Sequence, residues 1–488
     1  MPADRTGETA RRPRLNPHIF RAYDIRGVVG EDLDSEVAAL IGRAYGTHLR
    51  RAYGGETMVL GRDNRPSSPS LRDGFVRGAR AAGVSVVDIG LAPSPLLYFA
   101  AAAWGIDGGA SVTGSHNPPH MNGLKLLERR GIPIAPEEIQ AVRALAEARD
   151  FESGAGGLEE RDPKPAYWDF LGRRFSLARC LKVVTDAGNG VAACTGPEAL
   201  RRIGCDVAET YSELDGTYPH HLPDPQEPAA MEALRAAVIE HGGDCGIAWD
   251  GDGDRLGVVD ERGRRHEPDE ILALLARDFL GRHPGARVLI DVKCSATVVR
   301  AIEDAGGLPV FAPSGHSLGK RKMREEGIRF GGESSGHFYF GEDYHGLDYG
   351  IDDAVFGACA VAELLARGPA PLSARFEEMR AGLPRLITSP ELKLPCPDAD
   401  KFGVAAAVAK RFRGRYPVLA IDGARIEFPG GWALVRASNT TPVLSVRLEA
   451  ESAERYDAIR AMIWEALAEH PAVTIPEGAG QLGDAAEA

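Results

Sequence analysis

Apolar residues Val37, Leu40, Ile41, Ala44, Tyr45 and Leu49 recur three and four positions apart, the period that lays one greasy stripe along a helix. Short β-rich runs at 57–60 and 84–89 alternate with such stretches, which is α/β rhythm. A three-part pattern then recurs: an apolar strand enters a polar loop, a second apolar strand follows, and a third strand leads into a loop crowded with reactive side chains. The first copy runs MVLGRDNRPSS, AGVSVVDIG, GGASVTGSHNPPHMNGLK; the second KVVTDAGNG, IGCDVAETY, DCGIAWDGDGDR; the third RVLIDVKCS, AGGLPVFAP, RFGGESSGH. The likeness is architectural and too weak for a sequence repeat. Because ligands of open α/β sheets bind beyond the carboxyl ends of strands, three such units can aim three loops at one shared cleft between domains.

From about 380 onward the pattern changes to an Ala-rich helix at 401–412, two β-rich runs at 432–436 and 443–449, and a helix carrying Tyr456, Ile459, Ile463 and Leu467. That predicts a smaller α+β unit. Breaks are expected in the Gly- and acid-rich stretch 152–165, at 262–268 and at 368–380. Residues 474–488 hold few apolar anchors and are expected to fray.

At 488 residues the chain exceeds what one hydrophobic core sustains, so three or four domains are expected. The formal charge of −13 provides no global positive field for a polyanion, and neither it nor any basic run suggests nucleic-acid binding. A small anion needs only a few converging donors and stays admissible. The seven cysteines are scattered without a C-x-x-C pair, which argues against a disulfide framework or a structural zinc site and favours a reducing compartment. Residues 1–17 mix Arg and acid without an apolar centre, unlike a signal peptide, and no stretch approaches the roughly 20 apolar residues of a membrane span. A cytoplasmic protein is expected.

In the loop Thr113–Gly114–Ser115–His116–Asn117–Pro118–Pro119, the two prolines stop any regular element and present Ser115 at a rigid tip. Alone, such a serine is a turn residue. Asp250, Asp252 and Asp254, spaced by Gly251 and Gly253, change its meaning: three like charges on so flexible a backbone repel unless a hard cation neutralises them. An EF-hand would also place acids there with Glu261 at its twelfth position, but Arg255 stands where that loop needs glycine and the flanks read as strands. Magnesium suits a site with few protein ligands. The run Gly315–His316–Ser317–Leu318–Gly319 fits an esterase elbow with Ser317 as nucleophile, yet the segment after it is too charged for the buried helix an elbow requires. Glu333, Ser334, Ser335 and His337 offer hydroxyls, an acceptor and an imidazole suited to sugar hydroxyls. Arg436, Ser438, Asn439, Thr440 and Thr441 have the composition of a phosphate cradle or of a polar hairpin tip.

Taken in order, FRAYDIRG (20–27), TGSHNP (113–118), DGDGDR (250–255), GESSGH (332–337) and RASNTTP (436–442) resemble the α-D-phosphohexomutase superfamily, in its phosphomannomutase/phosphoglucomutase branch, over roughly 18–470. The resemblance implies three similar mixed α/β domains plus a C-terminal α+β domain around a central cleft, with boundaries expected at 18–158, 159–265, 266–376 and 377–475 between tails at 1–17 and 476–488. It implies that Ser115 is a phosphoserine and that Asp250, Asp252 and Asp254 hold Mg²⁺ against it. Tyr23, Arg26, His116, Lys125 and Arg255 would line the catalytic end, and Lys293 and His316 would face the ligand. Glu333 and Ser335 would grip sugar hydroxyls with His337 as a proton-transfer group, while Arg436, Ser438, Asn439, Thr440 and Thr441 would hold the distant phosphate. Ser334 departs from the Met or Gln common in relatives.

The expected reaction interconverts hexose 1-phosphate and hexose 6-phosphate, of mannose or glucose, through phospho-Ser115 and a hexose 1,6-bisphosphate that also serves as activator. Phosphoglucosamine mutase is the nearer alternative, though RASNTTP differs from the RPSGTEP-like cradle of that branch. A metal-dependent phosphatase using Asp250 or Asp252 as nucleophile, or a binding module without turnover, stands further off. The expected partner is a small phosphosugar and neither nucleic acid nor membrane; a monomer and a homodimer both stay open.

Overall fold

The computed structural model describes residues 15–341, 351–383, 385–438 and 441–481. Its first three sheets share one plan. In the first, Thr57–Arg62 runs parallel to both Ser85–Leu91 and Gly108–Val112, and Gly108–Val112 then pairs antiparallel with Met121–Glu128. In the second, Lys182–Asp186 lies parallel to Asp206–Thr210 and Cys245–Trp249, with Leu256–Asp260 antiparallel beyond. In the third, Arg287–Asp291 lies parallel to Leu308–Ala312 and Phe330–Gly332, with Phe338–Phe340 antiparallel beyond. The three reactive loops of the sequence therefore occupy one equivalent position, the turn joining the third strand to its antiparallel neighbour. The fourth sheet is wholly antiparallel, in the order Ile387–Thr388, Val443–Ala450, Gly431–Ala437, Ala424–Phe428, Val418–Leu419.

Local chemistry sets the helices. Ser35–Tyr53 starts where the Asp34 carboxylate accepts from Val37 N and stops at Gly54 in the left-handed region. Its stripe packs on Ser68–Ala81 at a separation only glycine permits, since a Cβ at Gly78 would lie 1.9 Å from Ala39 O. The segment read as a linker at 152–165 is not free chain: Leu158–Glu160 adds a parallel strand beside Ser85–Leu91. All three of its side chains are exposed, so it is held by backbone pairing that leaves no hydrophobic signature. At the other end Gly480 O accepts from Tyr456 Oη at 3.0 Å, and Ile475 and Ala479 pack on the C-terminal core. Of the tails expected at 1–17 and 476–488, residues 1–14 and 482–488 lie outside the described residues.

One continuous apolar core joins the first three sheets, from Val59 through Trp249 to Phe376, whereas the C-terminal sheet closes a core of its own around Phe412, Ile426 and Ile463. Within the former, Asp353 caps the helix Ala354–Ala366, accepting from Phe356 N at 2.8 Å and from Tyr167 Oη at 2.9 Å.

Burial pushes the Asp353 carboxyl up to about 7, while an unfolded aspartate titrates near ~4. A raised folded value means its contribution is intact below about pH 4 and is lost as pH climbs to about 7. Asp353→Asn retains an acceptor for the cap and cannot ionise. It is expected to be more stable than the native chain at pH 8, by on the order of a few kcal/mol, with the advantage vanishing near pH 4. Melting temperatures of both proteins across that range check this, and a difference independent of pH would refute it.

Candidate active site

Ser115 is buried and sits in the left-handed region at φ 51°, a conformation that costs a non-glycine residue on the order of 1 kcal/mol and persists only when its surroundings dictate it. Two buried groups do so. The Asp63 carboxylate accepts from Gly114 N and from Arg65 Nε, each at 3.0 Å. The Arg65 guanidinium, fully buried against the Tyr218 ring, donates to the carbonyls of Ser115, Asn117, Pro118 and Met121 at 2.6–3.2 Å. The loop thus closes around one cation, and Pro118 and Pro119 add stiffness.

Across the domain boundary, the Ser115 hydroxyl donates to Asp250 Oδ2 at 3.1 Å and lies 3.2 Å from His116 Nδ1. The loops approach so closely that a Cβ on Gly251 would meet Ser115 O at 2.4 Å, which is what the glycines between the aspartates permit. Asp250, Asp252 and Asp254 are each completely buried, with ligand oxygens within 4.8 Å of one another. Asp250 Oδ1 accepts from the backbone N–H groups of Asp254 and Arg255. Lys125 Nζ reaches Asp252 and Asp254 at 2.6 and 2.5 Å, and Ser94 Oγ donates to Asp252 at 2.6 Å.

Burial, then the charges of Asp254 and Asp252, pushes the Asp250 carboxyl well above its usual range. Asp252 Oδ1 is buried without a hydrogen-bond donor, and Asp254 Oδ1 meets the His337 imidazole at 3.3 Å. Hard oxygen donors, excess negative charge and orphaned lone pairs are the features a divalent cation satisfies, so the residues present fit a metal such as Mg²⁺.

The serine opens onto a cleft of about 460 Å³ to which all four domains contribute. From the first domain come Tyr23, Arg26, His116 and Lys125, and from the second Arg255. Arg26 is aimed by Asp24 at 2.6 Å and donates to Gly114 O at 3.0 Å. Arg255 lies 3.9 Å from Asp224. Burial, reinforced by Arg255 and Arg26, drops the His116 imidazole well below its ordinary value.

The third domain brings Lys293, His316, Glu333, Ser335 and His337. Glu333 Oε1 accepts from Tyr339 Oη and Gly315 N, and Oε2 accepts from Ser335 Oγ at 2.8 Å. Ser335 Oγ also lies 2.8 Å from His337 Nδ1, and His337 Nε2 faces Asp254 at 3.3 Å. Burial disfavours charge on His337, but Asp254 and Glu333 outweigh it and lift the imidazole to about 9. His316 stacks 5.7 Å from His337 and is pushed down by burial despite Asp352 at 3.2 Å.

The C-terminal domain contributes Arg436 and Thr441 to the cleft. Arg436 Nε donates to Asp422 at 3.0 Å, and Ser438 Oγ lies 2.9 Å from Thr441 Oγ1. Asn439 and Thr440 lie outside the described residues. Ser317, the rival nucleophile, is buried in the first turn of the helix His316–Glu326 rather than at a cleft surface.

Sequence reasoning passed over the residues that aim these groups. Asp63, Asp186 and Asp291 stand at the exit of the first parallel strand in the three domains, and each gathers loop donors. Asp186 accepts from Gly188 N and faces His221 at 3.1 Å, and Asp291 accepts from Ser314 Oγ and Ser334 N. The signal was present: superposing GRD, VTD and LID at the ends of the three opening strands puts the acids in register.

Arg65→Met would strand a buried Asp63 carboxylate and four carbonyls. We expect it to lose about 3–5 kcal/mol of stability, measured by urea unfolding. A loss no larger than that of an exposed arginine substitution would show that the loop does not depend on this cation.

Comparison with known proteins agrees with this geometry. Profiles of the phosphoglucomutase/phosphomannomutase alpha/beta/alpha domains I, II and III match residues 17–153, 165–263 and 267–381, and that of the C-terminal domain matches 391–466. The chain is 40% identical to a phosphomannomutase/phosphoglucomutase of Pseudomonas aeruginosa over 453 residues, 93% of this chain and 96% of that protein. It is 37% identical to a phosphoglucomutase of Neisseria gonorrhoeae over 447 residues, 91% of this chain and 95% of that one. A crystal structure of a phosphoglucomutase/phosphomannomutase family protein from Burkholderia thailandensis superposes with a TM-score of 0.87 at 40% identity, covering 95% of this chain and all of that one. With four domain profiles in order and relatives aligned over nearly the whole length, the chain belongs to the phosphoglucomutase/phosphomannomutase family.

Proposed function

We propose that this enzyme interconverts hexose 1-phosphates and hexose 6-phosphates of glucose and mannose by passing a phosphoryl group through Ser115. The observation that carries the reading is the Ser115 hydroxyl bordering the shared cleft while facing Asp250 at 3.1 Å. The three carboxylates sit behind that serine, completely buried, which favours serine over an aspartyl nucleophile and disfavours a phosphatase. The names of the relatives support the mutase over the phosphoglucosamine alternative.

In such a transfer the transition state is loose, so alignment and positive charge matter more than covalent help. Asp250, Asp252 and Asp254 would hold Mg²⁺, which supplies charge neutralisation beside the Ser115 oxygen. Arg26 and Arg255 add fixed positive charge at the cleft wall, and Lys125 holds the acidic loop in register. Glu333 and Ser335 orient sugar hydroxyls, and His337, hydrogen-bonded to that pair, can hold or release the hydroxyl proton as the phosphoryl group moves. Arg436, Ser438, Asn439, Thr440 and Thr441 would retain the phosphate that is not reacting.

Phospho-Ser115 would give its phosphoryl group to a hexose 1-phosphate, forming a 1,6-bisphosphate that turns over in the cleft and returns its other phosphate to the serine. A hexose 1,6-bisphosphate thereby also primes unphosphorylated enzyme. A pocket reading the sugar in two orientations can contact only features common to both, so glucose and mannose, which differ at C2, are both accepted. Described helices include none long and apolar enough to cross a membrane, and seven free cysteines suit a reducing cytoplasm.

Intact mass measured before and after incubation with glucose 1,6-bisphosphate, followed by peptide mapping, is expected to place one phosphate on Ser115 and none on Ser115→Ala, which should also lose turnover. An alkali-labile phosphate on Asp250 or Asp252 would instead establish the phosphatase reading. Stripping divalent cations with EDTA should abolish turnover and added Mg²⁺ should restore it; undiminished activity in EDTA would remove the metal from the scheme.

A further inference from the structure

Lys293 is a cation that the third domain sends into the cleft, and it stands on a short loop, 292–295, between the strand Arg287–Asp291 and the helix Ala296–Asp304. A loop leaving a parallel strand has main-chain carbonyls with no ladder partner, and buried carbonyls must find donors. Here the donors come from another domain. Arg425 Nη1, on the strand Ala424–Phe428, donates to Val292 O at 2.8 Å and to Cys294 O at 2.7 Å. Arg447 Nη1, on Val443–Ala450, donates to the carbonyl of Lys293 itself at 2.8 Å. Three successive carbonyls are therefore held by two guanidiniums of the C-terminal sheet.

Neither arginine is free to wander. Arg425 is 1% exposed, lies 3.8 Å above the Trp432 ring and 4.9 Å from that of Phe311, and its Nε donates to Glu427. Arg447 is fixed by Asp269 at 2.9 Å, the same carboxylate that accepts from Ser295 N. One nitrogen suffices at Arg425, because Nη1 carries two N–H donors and so serves both carbonyls at once. The far end of Lys293 also meets the C-terminal domain, with Nζ 3.5 Å from Glu391.

We infer that Arg425 and Arg447 are positioning residues whose function is to aim Lys293 into the cleft. The C-terminal domain then acts on the sugar phosphate twice, directly through its own phosphate-binding loop and indirectly through the backbone beneath a lysine of its neighbour. This rests on the proposed mutase reading and on the ligand-facing role that the family resemblance implies for Lys293, which lines the cleft. A purely structural role for the two arginines would lower stability without singling out substrate affinity.

The test is a double-mutant cycle on the full-length enzyme, assayed with glucose 1-phosphate and activating glucose 1,6-bisphosphate. Lys293→Met is expected to raise KM about tenfold, and Arg447→Met about fivefold with kcat changed less than about twofold. The double variant should match Lys293→Met, because an arginine that acts through Lys293 has nothing left to aim. Arg425→Lys, which retains a donor within reach of the two carbonyls, should keep KM near the native value where Arg425→Met does not. KM effects that multiply in the double variant would overturn the positioning role while leaving Lys293 at the ligand. A Lys293→Met enzyme with native KM would overturn both the positioning role and the ligand role. Should Arg425→Met fail to fold, the Arg447 cycle still decides, since that variant leaves Arg425 in place.

Discussion

Three carboxylates buried in one five-residue loop, with a serine hydroxyl pressed against the first of them, form the constraint around which this molecule is arranged. Left alone, such a cluster would protonate or unfold rather than stay ionised in low dielectric. The surroundings answer it at close range: Lys125 from the neighbouring domain bridges two of the acids, backbone N–H groups satisfy the third, and His337 arrives from a different domain to face Asp254. Domain assembly and charge compensation are thus one event. The first three domains cannot separate without leaving unpaired charge behind, and the apolar core they share adds to that cost.

The three-part rhythm in the sequence turns out to be a repeated piece of topology. Each of these domains ends its third strand in a turn to an antiparallel neighbour, and that turn carries the reactive side chains: the Ser115 hydroxyl in the first, three carboxylates in the second, Glu333, Ser335 and His337 in the third. The repeated acid after the opening strand does a different job, gathering donors from the loops around it, and in the first and third domains it binds the reactive turn itself. What differs between the three domains is the residue at the tip, and what they share is the strand plan and the acid at the exit of the opening strand.

Much of this was legible in the chain. Alternating period and loop composition pointed to the α/β plan, and the acids of DGDGD at alternate positions marked the buried, metal-capable cluster without any fold. The supporting residues were not legible, for physical reasons. Arg65 and Arg425 read as ordinary surface arginines because burial of a guanidinium is decided by carbonyls scattered over distant segments. Leu158–Glu160 carries no apolar alternation because it joins the sheet by main-chain bonds alone. Asp352, which meets both Lys320 and His316, lies beyond the GESSGH motif in a stretch with no chemical pattern of its own.

The C-terminal domain stands apart in how it is joined. Its apolar interior is closed on itself, and it meets the third domain mainly through guanidiniums, carboxylates and backbone polar groups, with only a small apolar contact at Val292, Trp432 and Leu434. Groups of that kind exchange protein partners for water at small net cost. Parting this wall from the third domain would bare little more than the Val292–Trp432–Leu434 patch, so of the four domains it is the one whose displacement forfeits least apolar burial, while the chemical centre is welded among the other three.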